Sequence, residues 1–515
     1  MKPNEYKISN EKFVFAKTED KIHDKELVTK PISYFHDAFN RFRKNKASIV
    51  AAIIILFLVF YAIIGPIVSP YSVSYNDSRF RYLLPKSKIT TALDLDFLDG
   101  CKKKSVTKNT FYYYYSMGVE TGHNAIKDQK YSTYVKKDAK GKNVTWYKIR
   151  YDSYQAVGTV FLNVDEEEYQ SIQRYQDETG IQVIYPITQL SLRPQAPQDE
   201  NDANYWYQTE KKAGKTHVVL DENGEFINIY EPYSGKDNYT SRVRIDNYEY
   251  DYSLENQTGY QIRVNYYEYY IYHHSNVLND GISEPSFLFG TSQSGQDIFV
   301  CLASGARFSF ILAIIVASVN LFVGAIYGAI EGYYGGKLDL FMERFVEILS
   351  AVPFMIVITL LKYHMKTSPQ VLVLFIAFFL TGWIGMAGRT RMQFYRFKNQ
   401  EYVLAARTLG ASDKRIMFKH IFPNALGTLI TSCVLIIPSM IFSETSLSYL
   451  GIINLNSGDT TSVGTLLANS QPYLTTYPHM IFFPAIYICL LMLSFNLFGN
   501  GLRDAFNPSL RGSED

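Results

Sequence analysis

The chain has 515 residues, of which 47% are apolar and 19% are charged, and its net charge is +2. This near-neutral balance lacks the basic footprint of nucleic-acid-binding proteins and excludes that class. A mean hydropathy of -0.09 is typical of soluble proteins, but it averages two unlike regions. Residues 48–69 and 306–499 are strongly apolar, whereas residues 71–289 are polar and hold 29 of the 42 tyrosines. The composition therefore predicts a membrane protein with one large aqueous insert.

The N-terminal tail is polar except for aromatic residues that recur at helical spacing. Phe35, Phe39 and Phe42 stand beside basic residues, a pattern typical of an amphipathic helix on the inner leaflet. A solvated tail with incidental aromatic residues is an equally good interpretation. The first apolar run begins only at Ser48, which is too late for a signal peptide.

Six segments are apolar and long enough to form helices across a hydrocarbon core of about 30 Å. The third is the weakest of them, since it contains Glu347 and Pro353. Proline is tolerated within a span because neighbouring groups can satisfy the freed carbonyl. The sequence thus predicts a polytopic α-helical membrane protein. The six segments are 48–68, 308–330, 345–361, 371–388, 425–443 and 480–498.

Positive charge near the span ends sets the predicted orientation, because cytoplasmic loops carry an excess of Lys and Arg. Basic residues precede the first span at positions 41–46, and none lies between the fifth and sixth spans. Both termini are therefore predicted to be cytoplasmic and residues 71–289 extracellular, although Lys362 and Lys366 oppose this scheme. The basic residues between the fourth and fifth spans are Arg389, Arg391, Arg396, Lys398, Arg407, Lys414, Arg415 and Lys419.

The insert is predicted to be an α+β domain, since alternating strand-like segments accompany a helical one. It is long enough for a core of its own. Its tyrosines either form a peptide- or glycan-binding face or fill half-exposed strand positions. Only Cys101 of the four cysteines lies in the insert, so no disulfide is expected within it. The strand-like segments are 144–151, 217–220 with 225–230 across Asn223-Gly224, and 260–272, and the helical segment is 164–179.

A polar, basic loop follows the fourth span and has a distinct pattern of its own. The pattern predicts a short helix over 402–409, a break at Gly410-Ala411-Ser412, and a second short amphipathic helix over 413–421, followed by Pro423. A membrane protein that folds two short helices on one face is expected to present them to a partner.

Several motifs in a shared order resemble the permeases of oligopeptide, dipeptide and nickel ABC importers, specifically the OppC/DppC type. The resemblance skips residues 71–287 and implies six transmembrane helices of the ABC type I importer permease fold. Gln296 stands where this family usually has Arg. The motifs are Gly65–Tyr71, Leu288–Asp297, Gly332–Asp339, Met342–Arg344, Glu444–Gly451 and Gly499–Asp504.

The resemblance identifies the 401–424 loop as the EAA loop, which docks into a groove on the ATPase subunit in that family. The family usually has Glu-Ala-Ala, whereas this chain has Leu404-Ala405-Ala406. The carboxylate that makes one ATPase contact in the family is thus missing at this position, although Glu401 lies one turn upstream. The residues implied to carry the coupling are Leu404, Ala405, Ala406, Gly410, Ala411, Ser412 and Pro423.

The resemblance also implies the partners. They are a second, OppB-like permease, two ATP-binding subunits, an extracellular substrate-binding lipoprotein, a peptide substrate and membrane lipid. The partner subunits would bind ATP with Mg and hydrolyse the ATP, and no cofactor or metal is expected on this chain. The chain shows no catalytic motif, and the acids Glu347 and Glu444 are interpreted as lying at span interfaces.

These inferences define five regions and leave other functions open. A membrane-anchored receptor or sensor, a permease for nickel or another small solute, and a secondary transporter are the alternatives. Richness in Lys, Asn and Tyr suggests a low-GC Gram-positive bacterium. The regions are a cytoplasmic tail (1–47), the first transmembrane helix (48–70), the extracellular insert (71–289), the permease core (290–499) and a cytoplasmic C-terminal tail (500–515).

Overall fold

The protein is described by a computed structural model that contains five helices long and apolar enough to cross a membrane. A bent pair of helices makes a sixth span if it is counted as one. The polytopic helical fold expected from hydropathy is thereby confirmed. The described residues are 34–93, 95–127, 132–137, 141, 143–185, 209–212, 215–218, 253–256, 259–455 and 461–506.

The helices alternate between long apolar rods and short connecting segments. Two π-helical segments, His273–Leu278 and Ile416–Ile421, interrupt the α-helical geometry. In chain order the α-helices are α1 (Tyr34–Lys44), α2 (Lys46–Val68), α3 (Lys88–Ala92), α4 (Lys108–Thr121), α5 (Glu166–Thr179), α6 (Tyr266–Tyr272), α7 (Ile298–Tyr334), α8 (Gly336–Ser350), α9 (Phe354–His364), α10 (Gln370–Gly382), α11 (Ile384–Phe397), α12 (Glu401–Thr408), α13 (Asp413–Arg415), α14 (Phe422–Tyr449), α15 (Val463–Ser470) and α16 (His479–Phe506).

Five of the six predicted spans fall within straight helices or nearly continuous pairs. The third does not, because α8 and α9 meet at an angle of 71°. Pro353 lies at this break and precedes the first residue of α9. Proline has no N–H to donate and disfavours helical backbone before it, so the predicted 345–361 span is a bent pair and not a single helix.

The predicted N-terminal amphipathic helix forms as α1. Phe42 packs edge-to-face on Phe498 of α16 at 5.3 Å, while the Phe39 side chain is 62% exposed. Arg41 pairs with Asp37 one turn earlier at 2.9 Å. The helix is thus anchored to the bundle on one side and presents an aromatic residue on another.

Close backbone contact joins α7 to α11. A Cβ added at Gly324 would lie 2.7 Å from the Met386 Cβ, and one at Gly328 would lie 2.1 Å from the Ala387 carbonyl oxygen. Only glycine allows the two helices to approach so closely, as at small-residue interfaces in membrane proteins. This contact makes α7 and α11 one rigid unit.

The second helix of the 401–424 loop continues into the membrane-spanning rod. Helix α13, the π-helical segment and α14 form one apolar span from Asp413 to Tyr449. The prediction of a separate short helix that ends at Ile421, before Pro423, is therefore wrong. Pro423 lies in the first turn of α14, where the missing N–H is tolerated, and the π-helical turns before it absorb the irregular geometry.

Between α2 and α7 the described residues form an α+β arrangement of antiparallel strands. One sheet has the order β1-β3-β2, a second has β4-β9-β5 with β8 on β9, and β6 pairs with β7. The strands are β1 (Cys101–Thr107), β2 (Ser132–Lys137), β3 (Asn143–Asp152), β4 (Thr159–Val164), β5 (Ile184–Tyr185), β6 (Thr209–Lys212), β7 (Lys215–Val218), β8 (Ser253–Asn256) and β9 (Gly259–Asn265).

Several insert predictions are confirmed. The 144–151 strand is β3, and the 164–179 helix is α5, which begins after the N-cap Asp165. The predicted hairpin is only partly described: β7 pairs with β6, and residues 225–230 lie outside the described residues.

The predicted strand over 260–272 is half wrong. Strand β9 ends at Asn265, and the tyrosine-rich remainder is α6. The Asn265 side-chain oxygen accepts hydrogen bonds from the Tyr267 and Glu268 N–H groups at 3.0 and 3.3 Å. This N-cap starts a helix where alternation alone predicts a strand. Many of the tyrosines lie in the cores and not at half-exposed positions, among them Tyr71, Tyr154, Tyr267, Tyr270 and Tyr272.

The two ends of the insert are joined at its base. The Lys86 N–H donates to the Phe287 carbonyl at 2.9 Å. A Cβ on Gly295 would lie 1.8 Å from the Asp77 carbonyl oxygen. The chain therefore leaves the core and returns to it through one tightly packed neck.

The insert also contacts the segment between α15 and α16. Tyr82 stacks on Tyr477 with ring centroids 4.5 Å apart and an interplanar angle of 11°. The Lys102 Nζ donates to the Thr476 carbonyl at 3.2 Å. The insert is thus packed against the segment that leads into α16.

We expect Gly328→Ala to destabilise the protein by about 1–3 kcal/mol, the usual cost of overpacking. The new methyl group would collide with the Ala387 carbonyl oxygen and separate α7 from α11. The midpoint of thermal unfolding in detergent should fall accordingly.

Gly388→Ala is the matched control, since a Cβ there meets no atom within 4 Å. Replacing a helical glycine by alanine without a clash is neutral or stabilising. An equal loss of stability in both variants would show that the α7–α11 contact is not tight.

Candidate coupling site

The 401–424 loop folds as two short helices around a glycine. Helix α12 ends at Thr408, and Gly410 adopts a left-handed φ of +80°, a conformation that terminates helices and favours glycine. The Ala411 N–H then donates to the Ala406 carbonyl at 3.0 Å. The helix-break-helix shape predicted for the loop is present.

One face of this loop is buried against the core. Val403, Ile416 and Ile421 are fully buried, which fixes both short helices to the same surface. Since that surface belongs to the joined α7 and α11, the loop and these two helices form one body. The core residues that receive the loop are Ala329, Tyr333 and Phe394.

Polar contacts strengthen this attachment. The Tyr333 hydroxyl donates to the Asp413 Oδ1 at 2.6 Å, a bond strengthened by the carboxylate charge. The Arg407 guanidinium lies 5.9 Å from the centre of the Tyr333 ring, within the range of a cation–π contact. One tyrosine at the end of α7 thus holds both helices of the loop.

The opposite face is exposed and apolar at its centre. Leu404 is 45%, Leu409 88% and Phe418 58% exposed. Exposed apolar residues with a charged rim are typical of protein interfaces. The cations on the exposed side of the loop are Arg407, Lys414, Arg415 and Lys419.

The structure brings the predicted coupling residues together in this loop but divides them between its two faces. Ala406 is buried and Ala411 is partly buried against the core. These two residues hold the turn in place, and the others are available to a partner. The exposed members are Leu404, Ala405, Gly410, Ser412 and Pro423.

Tyr402 and Asn424 connect the start of the loop to the start of α14. The Asn424 amide donates to the Tyr402 hydroxyl at 3.3 Å and to the His420 carbonyl at 2.7 Å. Burial raises the pKa of Tyr402, so its phenol stays neutral near pH 7. The contact therefore does not change with physiological pH.

Sequence reasoning missed a cluster of charges beside the loop. The Arg391 guanidinium contacts Asp339 at 2.7 Å, Glu343 at 2.8 Å and Glu331 at 3.4 Å. Glu331 is 1% exposed, and a buried acid without a cation is costly. The cluster joins α7, α8 and α11. An acid at the end of an apolar run was the only sequence signal for it.

Glu444 is buried where the spans α7 and α14 pack together. Its carboxylate accepts hydrogen bonds from the Ser309 and Ser448 hydroxyls at 2.9 and 3.0 Å. The residue is 1% exposed and joins α7 to α14. Glu347 by contrast is exposed and pairs with Arg344 at 2.5 Å.

Within the described residues, no group of three or more His, Cys, Asp or Glu side chains is arranged to hold a metal ion. The loop is built of apolar, basic and backbone groups, which bind protein surfaces. The arrangement can transmit force between a docked partner and the helices.

Two family models match separate parts of the chain. Residues 322–512 match the binding-protein-dependent transport system inner membrane component. Residues 33–85 match the N-terminal transmembrane domain of oligopeptide transport permease C. The long α7 begins before the first of these ranges, and most of the insert lies outside both.

Named relatives share this similarity. The oligopeptide transport system permease protein OppC of Bacillus subtilis is 44% identical over 244 residues, covering 47% of this chain and 78% of that protein. The dipeptide transport system permease protein DppC of the same organism is 38% identical over 224 residues, covering 43% and 69%. OppC of Haemophilus influenzae is 40% identical over 223 residues, covering 43% and 70%.

The matched ranges contain the whole 401–424 loop, α11 and the end of α7 that receives the loop. The transmembrane helices, the order of the motifs and the identity to these relatives agree with one another. The chain therefore belongs to the family of binding-protein-dependent transport system inner membrane components and is a multi-pass α-helical ABC permease of the OppC/DppC type.

Proposed function

We propose that this chain forms half of the translocation pore of an ATP-driven importer of peptides and couples to an ATPase subunit through the 401–424 loop. The names of its relatives support the substrate class. The observation that carries the coupling role is the division of the loop into a buried and an exposed apolar face. Such a loop is fixed to its own protein and open to another.

The mechanism follows from the way the loop is attached. ATP-driven closure of two ATPase subunits displaces any helix that is docked on them. Here the displaced loop is rigidly joined to α7 and α11, and α13 continues into α14. The 37-residue span from Asp413 to Tyr449 is about 55 Å long at 1.5 Å per residue. Movement at the loop is therefore carried across the bundle as a tilt of whole helices.

The change from Glu to Leu404 alters the proposed contact without removing it. Leu404, Leu409 and Phe418 are all exposed in the loop. Burial of these side chains in an ATPase groove would supply hydrophobic stabilisation in place of one charged contact. The exposed Glu401 lies one turn earlier.

We expect Leu409→Asp to release the ATPase from the complex. Leu409 is 88% exposed and contributes little to folding, but a carboxylate there would be desolvated in an apolar groove. Affinity purification of the tagged chain from its native membrane should recover two ATPases and a second permease with wild type. The variant should retain the permease and lose most of the ATPases.

Leu93→Asp is the matched control, because Leu93 is also exposed, at 65%, but lies in the insert. It should leave ATPase recovery unchanged. Recovery of no ATPase with wild type would contradict the importer proposal and favour a membrane receptor.

The proposed topology places the loop in the cytoplasm and the insert outside. The excess of Lys and Arg around the loop supports this orientation. It also places both termini in the cytoplasm of a cell membrane. The composition supports a Gram-positive source.

Ser132→Cys and Ser412→Cys in a cysteine-free background form a matched pair for topology, since both positions are exposed. A membrane-impermeant maleimide should label position 132 in intact cells. Position 412 should react only after permeabilisation. Equal labelling of both positions in intact, sealed cells would contradict the proposed orientation.

The remaining partners are a second OppB-like permease in a heterodimer and an extracellular substrate-binding lipoprotein. ATP and Mg act on the ATPase subunits and not on this chain. We propose that the insert docks or covers the lipoprotein, because it is braced on the core at Tyr477 and Thr476. A docked lipoprotein could thereby act on α16.

We expect replacement of residues 88–285 by a two-residue Asn-Gly turn to leave the core folded and to abolish lipoprotein binding. The hydrogen bond between Lys86 and Phe287 places the cut ends side by side, where such a turn fits. Cross-linking to the lipoprotein and peptide uptake should both fall, while ATPase recovery stays normal. Full retention of both activities would refute this role of the insert.

A further inference from the structure

A charged cleft lies in the insert, remote from the coupling loop. It has a volume of about 440 Å³ and is open to solvent at one side. This volume is within the range of small-ligand sites. The residues that carry charge in its walls are Lys86, Asp96, Asp99, Lys127, Arg150, Asp152 and Glu284.

Lys86 is the unusual member of this set. Its side chain is only 7% exposed, and its Nζ lies 4.8 Å from the ring centre of Tyr154 and 5.7 Å from that of Tyr267. Among the described residues, no hydrogen bond or ion pair engages this Nζ. The aromatic rings cover much of the side chain, and the ammonium at the cleft is left without an acidic partner.

Most other charges in the cleft are already engaged with one another. The Arg150 guanidinium pairs with Asp96 at 2.7 Å and also with Asp99. The Lys127 Nζ pairs with Asp152 at 3.4 Å. These groups build the walls and leave little charge free for a ligand.

Glu284 is the acidic counterpart of Lys86. It is exposed at the cleft and makes no ion pair within the part of the chain that the structure describes. Tyr267 lines the same cleft. Burial raises the pKa of the Tyr267 phenol, and the nearby charge of Glu284 raises it further. The cleft thus holds a cation and an anion that both lie near Tyr267.

We propose that this cleft binds a short peptide with free termini, its carboxylate on the Lys86 ammonium and its ammonium on the Glu284 carboxylate. A simple anion would satisfy Lys86 but leave Glu284 unpaired, and a simple cation would do the reverse. A zwitterion satisfies both groups, and the Tyr154 and Tyr267 rings beside Lys86 offer it apolar surface. The cleft lies on the insert, so its ligand need not enter the pore.

The test is calorimetric titration of trialanine into the purified full-length chain in detergent. Wild type should bind trialanine saturably. Lys86→Gln and Glu284→Gln should each weaken binding by about tenfold or more, as expected for loss of one charge-assisted contact. Lys88→Gln and Glu167→Gln are matched controls, since both residues are exposed and neither lines the cleft, and they should bind as wild type does.

Capped peptides test the same assignment without altering the protein. Trialanine amide, which lacks the carboxylate, should bind wild type about tenfold more weakly, but Lys86→Gln should not distinguish it from trialanine. N-acetyl-trialanine should behave in the same way toward Glu284→Gln. Absence of saturable binding, or wild-type affinity in both cleft variants, would overturn the proposal and leave any peptide binding to the pore.

Discussion

Direct backbone contact between α7 and α11 is the constraint on which the rest of the permease core depends. Gly324 and Gly328 leave no room for a side chain against Met386 and Ala387. Two helices that touch in this way cannot slide or separate by small steps, because packed interfaces have few alternative arrangements. The coupling loop packs against the ends of these two helices, so it is held rigidly to them.

Polar contacts also connect these helices to each other and to their neighbours. Arg391 links α11 to acids on α7 and α8, and Tyr333 holds Asp413 of the loop. Glu444 connects α14 to α7 by hydrogen bonds to serine hydroxyls. Each buried carboxylate has partners, as a low-dielectric environment requires. Ion pairs thus join α7, α8 and α11 near the coupling loop, and hydrogen bonds join α7 to α14 inside the bundle.

The insert follows a different design from the core. Its tyrosines are packed as core residues, with hydroxyls that reach polar partners, such as the Tyr266 hydroxyl on Asp77 at 2.8 Å. A tyrosine-rich core buries large area while keeping polar atoms satisfied. Lys86 is the exception, since rings and not acids surround its ammonium. That exception is the basis for a ligand site.

The sequence by itself determined the spans, the loop and the family. Hydropathy is a property of consecutive residues, and the bilayer demands long apolar helices wherever it is crossed. The break at Gly410 could also be predicted from the sequence, because a left-handed turn favours glycine. Local rules failed where a single cap or proline position decided the outcome: Asn265 starts a helix in a strand-like run, and Pro423 lies inside a continuous rod.

Only the tertiary structure decided which charges meet and which remain free. Arg391 and Asp339 are 52 positions apart, and Lys86 reaches Tyr154 and Tyr267 from different elements of the insert. No local pattern encodes such contacts, since they depend on how whole elements pack. Which residues of the coupling loop are buried and which are exposed could likewise not be predicted from the sequence, because burial depends on the surface against which a helix lies.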